Sequence, residues 1–268
     1  MSGDFSFAWL LCVAKAGRGV VRKSMGGMVA WLDKTFYAAF SKNWDDQMLR
    51  DRILRQVSPE SRVLDFGAGR GYVEAMNFRS AVQWVAGVDV DPVVRMNPYL
   101  HQAAVLEPPA FDIPFPDGSF DLVFADNVLE HLERPGDVLK EIARVLKPGG
   151  AFIAKTPGKW HYMPIVARIT PIAFHRFYNR LRGRREVDTF PTVYRCNSPG
   201  AARQCAAVAG LVVDEIEHVE GRPEYLRLSW ATYLVGIAYE RIVNSAGVLA
   251  PIRSVMMIRM SKPRSRAA

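Results

Sequence analysis

The stretch that decides the fold is Val63-Leu64-Asp65-Phe66-Gly67-Ala68-Gly69-Arg70-Gly71-Tyr72. A short apolar run leads directly into a turn with three glycines, which predicts a strand followed by a tight loop. Glycines at this place let the backbone come close to a ligand at the carboxyl end of the strand. Tyr72 stands where the dinucleotide fingerprint GxGxxG requires glycine, so the loop is a poor match to that fingerprint.

Two aspartates indicate which kind of ligand the glycine loop binds. Asp65 precedes the loop, where a carboxylate is poorly suited to a pyrophosphate and better suited to a cation. Asp89 ends the next predicted strand, about 20 residues beyond Gly69, where an acidic side chain can accept both hydroxyls of a ribose. The alternative is that both aspartates only cap turns, but this would leave the glycines beside them unexplained. The pattern therefore predicts a nucleoside cofactor without phosphates.

Short apolar runs that alternate with helical stretches continue through the chain, which predicts βαβ units and a doubly wound parallel sheet. The predicted strands are Arg62 to Phe66, Trp84 to Val90, Ala103 to Leu106, Phe120 to Ala125, Ala151 to Lys155, Leu211 to Val219 and Ser254 to Met260. The clearest helix lies before the fifth strand, with Asp137 expected as its cap.

The domain boundaries follow from these patterns. Residues 1–55 are predicted to form an N-terminal helical cap, and 56–262 the α/β domain. The domain is expected to carry insertions at about 159–195, after strand 5, and 221–250, between strands 6 and 7. Residues 263–268 form a basic tail. Most aromatic residues of the cap are expected to pack between helices, with Trp44 as the exception that covers the ligand.

The amino-acid composition excludes several classes of protein. The chain has 268 residues, of which 49% are hydrophobic and 23% charged, as in a folded protein with a sizeable core. Its three cysteines form no CxxC pair, so neither a zinc cluster nor a disulfide framework is predicted, and a reducing cytoplasm is the expected location. The net charge of +8 favours an anionic partner. The apolar runs are too short to predict a transmembrane helix.

Four motifs resemble those of the class I S-adenosylmethionine-dependent methyltransferases of the small-molecule and ubiquinone-biosynthesis type. They are VLDFGAGRG at 63–71, VAGVDVDP at 85–92, IPFPDGSFDLVFADNVLEHL at 113–132 and VLKPGG at 145–150. The resemblance covers roughly residues 60–157 and implies a Rossmann-like, mostly parallel sheet of seven strands whose last strand is antiparallel. It also implies S-adenosyl-L-methionine as the cofactor.

The resemblance assigns roles to individual residues. Asp65 would hold the amino group of the cofactor, Asp89 its ribose, and Val90 would lie by the adenine. The acidic adenine contact of the family is out of register here, which leaves Asp112 as its substitute. The remaining cofactor residues implied are Gly67, Gly69, Gly71, Asp126 and Asn127.

Glu130 and His131 begin the predicted acceptor side. Related ubiquinone-type enzymes bind magnesium through Glu-x-x-Glu-His, but Asn127 replaces the first carboxylate here, so no metal is predicted. His131 is the candidate general base for a hydroxyl acceptor. An equally weighted interpretation is that Glu130 and His131 cap the following helix and hold the turn in place.

The first insertion mixes aromatic and basic residues and is expected to cover the acceptor. Its candidate residues are Trp160 and Tyr162 for substrate contact and His161 as a second candidate base. Two interpretations stay open: contact with an anionic lipid headgroup at the inner membrane surface, or a solvated basic helix. Nucleic acid is disfavoured, because Ala125-Asp126-Asn127-Val128 lacks the motif of base-amino methyltransferases.

The sequence thus predicts a methyltransferase that acts on a small-molecule or lipid-like acceptor, at an oxygen. One alternative is a scaffold that binds the cofactor without catalysis and works at a membrane or partner surface. The other is an NAD-dependent oxidoreductase, which Tyr72 and Asp65 disfavour.

Overall fold

The computed structural model describes residues 27–40, 43–108, 111–169 and 191–264. Within these ranges the strands are β1 Arg62–Phe66, β2 Trp84–Asp89, β3 Gln102–Val105, β4 Phe120–Asp126, β5 Leu146–Pro157, β6 Val212–Val219 and β7 Val255–Ser261. The helices are α1 at 27–36, α2 Trp44–Leu54, α3 Pro135–Val145, α4 Tyr162–Ile169, α5 Pro199–Val208 and α6 Trp230–Ser245. Short 3-10 turns occur at Glu74–Met76, Pro92–Met96, Leu129–His131 and Gly247–Ile252.

The strands form one sheet in the order β3-β2-β1-β4-β5-β7-β6. The first five strands pair in parallel, and β7 is antiparallel to both β5 and β6. The strand order switches sides between β1 and β4, since β2 and β3 lie on one side of β1 and β4 and β5 on the other. In doubly wound sheets, ligands bind outside the carboxyl ends of the strands at such a point. The predicted fold class is confirmed.

Alternate residues of the central strands face two separate cores. Phe120, Val123 and Ala125 of β4 pack in the core beneath α3 and α5. Leu122 and Phe124 of the same strand point to the other face, where α2 packs. Because both faces are covered by helices, the central strands are apolar on both sides.

The N-terminal helices and the second predicted insertion meet in a small core of their own. Tyr37, just after α1, stacks on Tyr233 of α6 with ring centroids 6.0 Å apart. The Tyr37 hydroxyl also donates a hydrogen bond to Glu240, over 3.1 Å. Ser229 begins α6 with a reciprocal capping box that it forms with Thr232. The segment between β6 and β7 is therefore fixed to the N-terminal cap.

The structure corrects two details. Asp137 was expected to cap α3, but the helix begins after Arg134 because Pro135 occupies its first turn. Asp137 instead pairs with Arg134 and Lys140 on the helix surface. The strand β5 begins at Leu146, five residues before the predicted start, because Leu146 already pairs with Phe120 of β4 and the Lys-Pro-Gly-Gly stretch forms an irregularity within the strand.

Part of the basic insertion, residues 170–190, lies outside the described residues, as does the end of the basic tail at 265–268. The predicted membrane contact of this insertion stays a prediction. In the described ranges, no helix combines the length and the apolar character needed to cross a membrane.

Candidate functional site

A cleft of about 1170 Å³ opens at the carboxyl ends of the parallel strands. Its walls come from the loops that follow β1, β2 and β4, from the start of α2, and from two later stretches at 191–194 and 220–227. The predicted site residues that line it are Trp44, Gly67, Asp89, Val90, Asp126, Asn127, Glu130 and His131. The topology thus joins residues far apart in sequence into one site.

The glycine loop owes its shape to positive φ angles. Gly67 has φ of +84°, and a Cβ there would lie 2.3 Å from Val128. Gly69 has φ of +49°, and a Cβ there would meet no atom within 4 Å, so open space lies beside it. Gly71 abuts Asn97 rather than the cleft. Asn97 in turn donates to the carbonyl of Ala68, which holds the loop in place.

Asp89 is tied to the loop backbone. Its Oδ2 accepts a hydrogen bond from the backbone N–H of Gly69 at 2.9 Å, and its Oδ1 accepts one from Asp91 at 2.8 Å. Because both oxygens receive backbone donors, the carboxylate is fixed at the end of β2, on the cleft wall beside Val90.

Asp65 is a buried carboxyl at the end of β1, with 6% of its surface exposed. Burial raises the pKa of Asp65 well above its ordinary value, and the nearby charges of Asp126 and Asp89 raise it further. Among the residues that the structure describes, none donates a hydrogen bond to its side chain. The carboxyl is therefore suited to a cation that enters from the ligand side.

Lys155 is a buried charged residue that was not among the predicted site residues. It lies in β5 with none of its surface exposed, and its ammonium contacts three carboxylates. Asp126 Oδ1 and Asp45 Oδ2 each lie 2.9 Å from Nζ, and Asp46 is the third partner. Although burial alone lowers the pKa of Lys155, the three carboxylates raise it above its ordinary value. The cluster joins the end of β4 to the first turn of α2.

Burial raises the pKa of Asp126 to about 6, against the opposing effect of the Lys155 charge. Asn127 follows in the left-handed region, with φ of +53°, and its amide donates to Asp126 Oδ1 at 2.8 Å. This residue turns the chain sharply at the end of β4, on the wall of the cleft.

Glu130 and His131 are held by different parts of the chain. The Glu130 carboxylate accepts from Thr156 at 2.9 Å, and Asn197 donates to the same hydroxyl at 2.6 Å. Nδ1 of His131 lies 2.8 Å from the carbonyl of Pro191, while its Nε2 lies 3.9 Å from Glu130 Oε1. Neither side chain caps a helix. They instead fix the segment at 191–194 over the cleft, since Val193 and Tyr194 both donate to the Glu130 carbonyl.

The far wall is formed by residues 220–227 and the N-terminal cap. The indole of Trp44 lies so close to Gly221 that a Cβ there would be 2.7 Å from the ring. Glu220 is 7% exposed, and burial raises its pKa to about 7. Arg227 forms a double hydrogen bond with Asp33 of α1. A carboxylate, a charge pair and an aromatic ring therefore share this wall.

Several predicted residues are not brought to the cleft. Asp112 is exposed and does not line the cleft, whereas Leu106, Pro108 and Phe111 do. Trp160 is 50% exposed and also lies outside the lining, with Lys159 over its ring. Asp65 and Gly69 are likewise not lining residues, and His161 and Tyr162 pack together behind the wall with ring centroids 4.0 Å apart. Burial lowers the pKa of His161 to about 3, which makes its ring a weak proton acceptor.

Lys155, its partners Asp45 and Asp46 on α2, and Glu220 were not predicted as site residues. One signal for Lys155 was present, because a charged residue between the apolar positions of a central strand requires a buried partner. Nothing in the sequence pattern distinguished Asp45 and Asp46 from ordinary residues in the first turn of a helix.

Comparisons with known proteins agree with this geometry. Residues 64–154 match the family described as "Methyltransferase domain". A malonyl-[acyl-carrier protein] O-methyltransferase of Halorhodospira halophila is 34% identical over 120 residues, which cover 40% of each protein. The uncharacterized methyltransferase YcgJ of Bacillus subtilis is 34% identical over 130 residues, or 46% of this chain and 49% of YcgJ. The matches thus span less than half the length of these two curated relatives.

Solved structures agree on the fold. The YcgJ crystal structure superimposes with a TM-score of 0.51 at 20% identity, covering 81% of this chain and 99% of YcgJ. A chain from the complex between the Haloferax volcanii Trm112 methyltransferase activator and a methyltransferase gives 0.54 at 20% identity, covering 84% and 92%.

The family match over residues 64–154 and the sheet order identify this part of the chain as a class I S-adenosylmethionine-dependent methyltransferase domain. S-adenosyl-L-methionine is the cofactor of this class. The residues present fit it, because the open space beside Gly69 leaves room for a ligand and the Asp65 carboxyl lacks a donor within the described chain.

Proposed function

We propose that this protein transfers a methyl group from S-adenosylmethionine to a hydroxyl oxygen of a small-molecule or lipid-like acceptor. The observation that carries the proposal is that Asp89, Asp126 and His131 line one and the same cleft. One part of this cleft is suited to a nucleoside with a cationic side chain, and the adjoining part has a base.

On the cofactor side, Asp89 would hold the ribose hydroxyls and Asp65 the amino group. Leu106 and Phe111, together with Val90, supply apolar surface for the adenine. The bound cofactor supplies a methyl group on a positively charged sulfur, which is ready for in-line displacement. The protein therefore mainly holds donor and acceptor at reacting distance and excludes water.

His131 is the proposed base. A carbonyl accepts hydrogen bonds only, so the 2.8 Å contact with Pro191 requires a proton on Nδ1 and leaves the lone pair on Nε2. Nε2 faces Glu130 Oε1 at 3.9 Å, so the carboxylate can stabilise the imidazolium that forms when the ring takes the acceptor proton. Thr156 and Asn197 keep that carboxylate in place.

Calorimetric binding of S-adenosylmethionine and S-adenosylhomocysteine tests the cofactor side. Asp89→Ala should weaken both by about 1 to 3 kcal/mol, because the ribose loses a charged acceptor and the Gly69 N–H loses its partner. Asp137→Ala, on the surface of α3, is the matched control and should bind normally. If the native protein bound NAD but neither of these ligands, the proposal would be wrong.

His131→Asn tests the base. Asparagine can still donate to the Pro191 carbonyl, but it has no nitrogen that takes up a proton. We expect turnover of a hydroxyl acceptor to fall about 100- to 10,000-fold, while the affinity for S-adenosylhomocysteine stays unchanged. Unaltered turnover in this variant would remove His131 from the chemistry.

A further inference from the structure

We infer that the acceptor carries a protonated nitrogen and that Glu220 is the residue that recognises it. The inference rests on the proposed function and names a substrate class for the same cleft. It departs from the +8 charge of the whole chain, which favours anionic partners, because the cleft wall itself has the opposite character.

Glu220 lies on the cleft wall with only 7% of its surface exposed. Its Oε2 accepts a hydrogen bond from the backbone N–H of Ser254 at 2.7 Å. In the parts of the chain described here, Ser254 provides its hydrogen bonds, and the one group within 4 Å that can carry positive charge is Nε2 of His161, at 3.9 Å. A buried carboxylate with so little compensation is costly unless a cation joins it.

His161 does not provide that cation. Its Nδ1 accepts a weak hydrogen bond from the backbone N–H of Met163 at 3.4 Å, which puts the ring proton on Nε2. The ring is 2% exposed, so a second proton would be buried with it, and burial accordingly lowers the pKa of His161 to about 3. At neutral pH it is an uncharged neighbour of Glu220.

The arginines of the same wall are engaged by other carboxylates. Arg227 pairs with Asp33, and Arg222 pairs with Glu224 while also lying 3.9 Å from Asp33. Within the described residues, these two guanidinium groups thus pair with Asp33 and Glu224. Glu220 is a further carboxylate, outside these ion pairs.

Arg253 lies close enough to affect Glu220 electrostatically, but its donors are directed elsewhere. Its Nε donates to the carbonyl of Val243 and its guanidinium to that of His218, each at 3.1 Å. Behind Glu220 lies a second buried carboxylate, Glu240, whose charge raises the pKa of Glu220 although Arg241 lies 3.4 Å from it. Among the described residues, Glu220 therefore lies on the cleft wall without an ion pair to a lysine or arginine.

Two aromatic side chains of the cleft wall contact neighbours of Glu220. Trp44 packs directly against Gly221, the next residue in the chain, and also lines the cleft. Tyr225 lines the cleft as well, with its ring 5.8 Å from that of His161. A carboxylate beside aromatic rings is the combination that binds ammonium groups, through a charged hydrogen bond and cation–π attraction.

The test compares three phenols that share one ring and differ in the end of the side chain. They are 4-(2-aminoethyl)phenol, the neutral 4-propylphenol and the anionic 3-(4-hydroxyphenyl)propionate. Each is titrated by calorimetry and saturation-transfer NMR into the full chain saturated with S-adenosylhomocysteine. We expect the ammonium probe to bind about 10- to 100-fold more tightly than the neutral one, as for a charged hydrogen bond.

Glu220→Gln should reduce that ratio to about 1 to 3, because the amide still accepts from Ser254 but carries no charge. Glu60→Gln, which removes one exposed carboxylate bonded to Ser58, is the control and should keep the wild-type ratio. Thermal melting establishes that both variants fold.

Equal or weaker binding of the ammonium probe by the wild type would overturn the inference without any variant. A ratio that survives Glu220→Gln would overturn the role of Glu220. In both cases retained binding of S-adenosylhomocysteine would leave the proposed function in place, whereas its absence would be a failure of the proposed function itself.

Discussion

The two parts of the cleft are built in different ways. The cofactor side, as proposed above, comes from residues 65–127, which lie in or after successive strands of one sheet, and backbone hydrogen bonds fix Asp89 there. The proposed acceptor side combines Glu130 and His131 with α1, α2 and the segments at 191–194 and 220–227, and side-chain charge pairs and aromatic packing hold it together. Parallel strands place their ends along one edge whatever else the chain contains, whereas the acceptor side depends on contacts between distant segments.

This difference explains why sequence motifs indicate the cofactor side and do not indicate the acceptor side. It also predicts that changes on the cofactor side act mainly on binding, and that changes between the two sides act on folding.

Lys155 joins the two sides, so its replacement should have the largest effect. Lys155→Met leaves three carboxylates without their shared cation in a mostly buried position, and we expect a loss of about 3 to 5 kcal/mol in the free energy of unfolding. Urea denaturation measures this loss. Release of α2 should weaken the acceptor side too, since Trp44 belongs to that helix.

Lys147→Met is the matched control for the Lys155 variant. Lys147 pairs with Asp121 at 2.7 Å, but its side chain is 42% exposed. We expect a loss below about 1 kcal/mol, as for other exposed ion pairs. Similar losses in the two variants would show that the Lys155 cluster does not connect the two sides.

Gly69→Val should lower cofactor binding by more than its backbone strain explains. The side chain would fill the open space beside the loop, and we expect affinity for S-adenosylhomocysteine to fall about 100-fold or more. Gly210→Val offers a control of similar backbone strain, because Gly210 has φ of +70° and also has open space around it, far from the cleft. Loss of binding in both variants would point to general strain rather than to occupation of the site.

Glu220→Gln should change the pH dependence of stability. Burial raises the pKa of Glu220 to about 7, so the native protein binds a proton between pH 7 and 4.5 that the unfolded chain does not bind. The wild type therefore gains stability relative to the variant as pH falls, by on the order of 2 to 3 kcal/mol across that range. Urea denaturation at several pH values measures the difference, and a constant difference would contradict this account of the acceptor wall.

Much of the cofactor side was predictable from the sequence. The glycine loop with Asp65 and Asp89 obeys a local rule, since each residue follows a strand whose apolar pattern is visible. The predicted adenine contact at Asp112 illustrates the limit. The Ile113 N–H donates to Glu141 of α3 while Asp112 is exposed outside the cleft lining, and no local pattern reveals this contact.

Glu220 illustrates the same limit on the acceptor side. In the sequence it is one acidic residue at the end of an edge strand, with nothing to distinguish it from Glu215 or Glu217. Its importance comes from burial by α6, β7 and the N-terminal cap, which are brought together only by the tertiary fold.

The contact between Trp44 and Gly221 has a consequence for the order of folding. The two residues are separated by most of the chain, so the loop that their contact closes is among the longest in the molecule. Contacts of such range carry a high entropy cost and tend to form late. During synthesis, the helix that carries Trp44 leaves the ribosome early but gains this partner only after β6 has emerged. The five parallel strands and the glycine loop can therefore form before residues 220–227, which build the acceptor wall, have emerged.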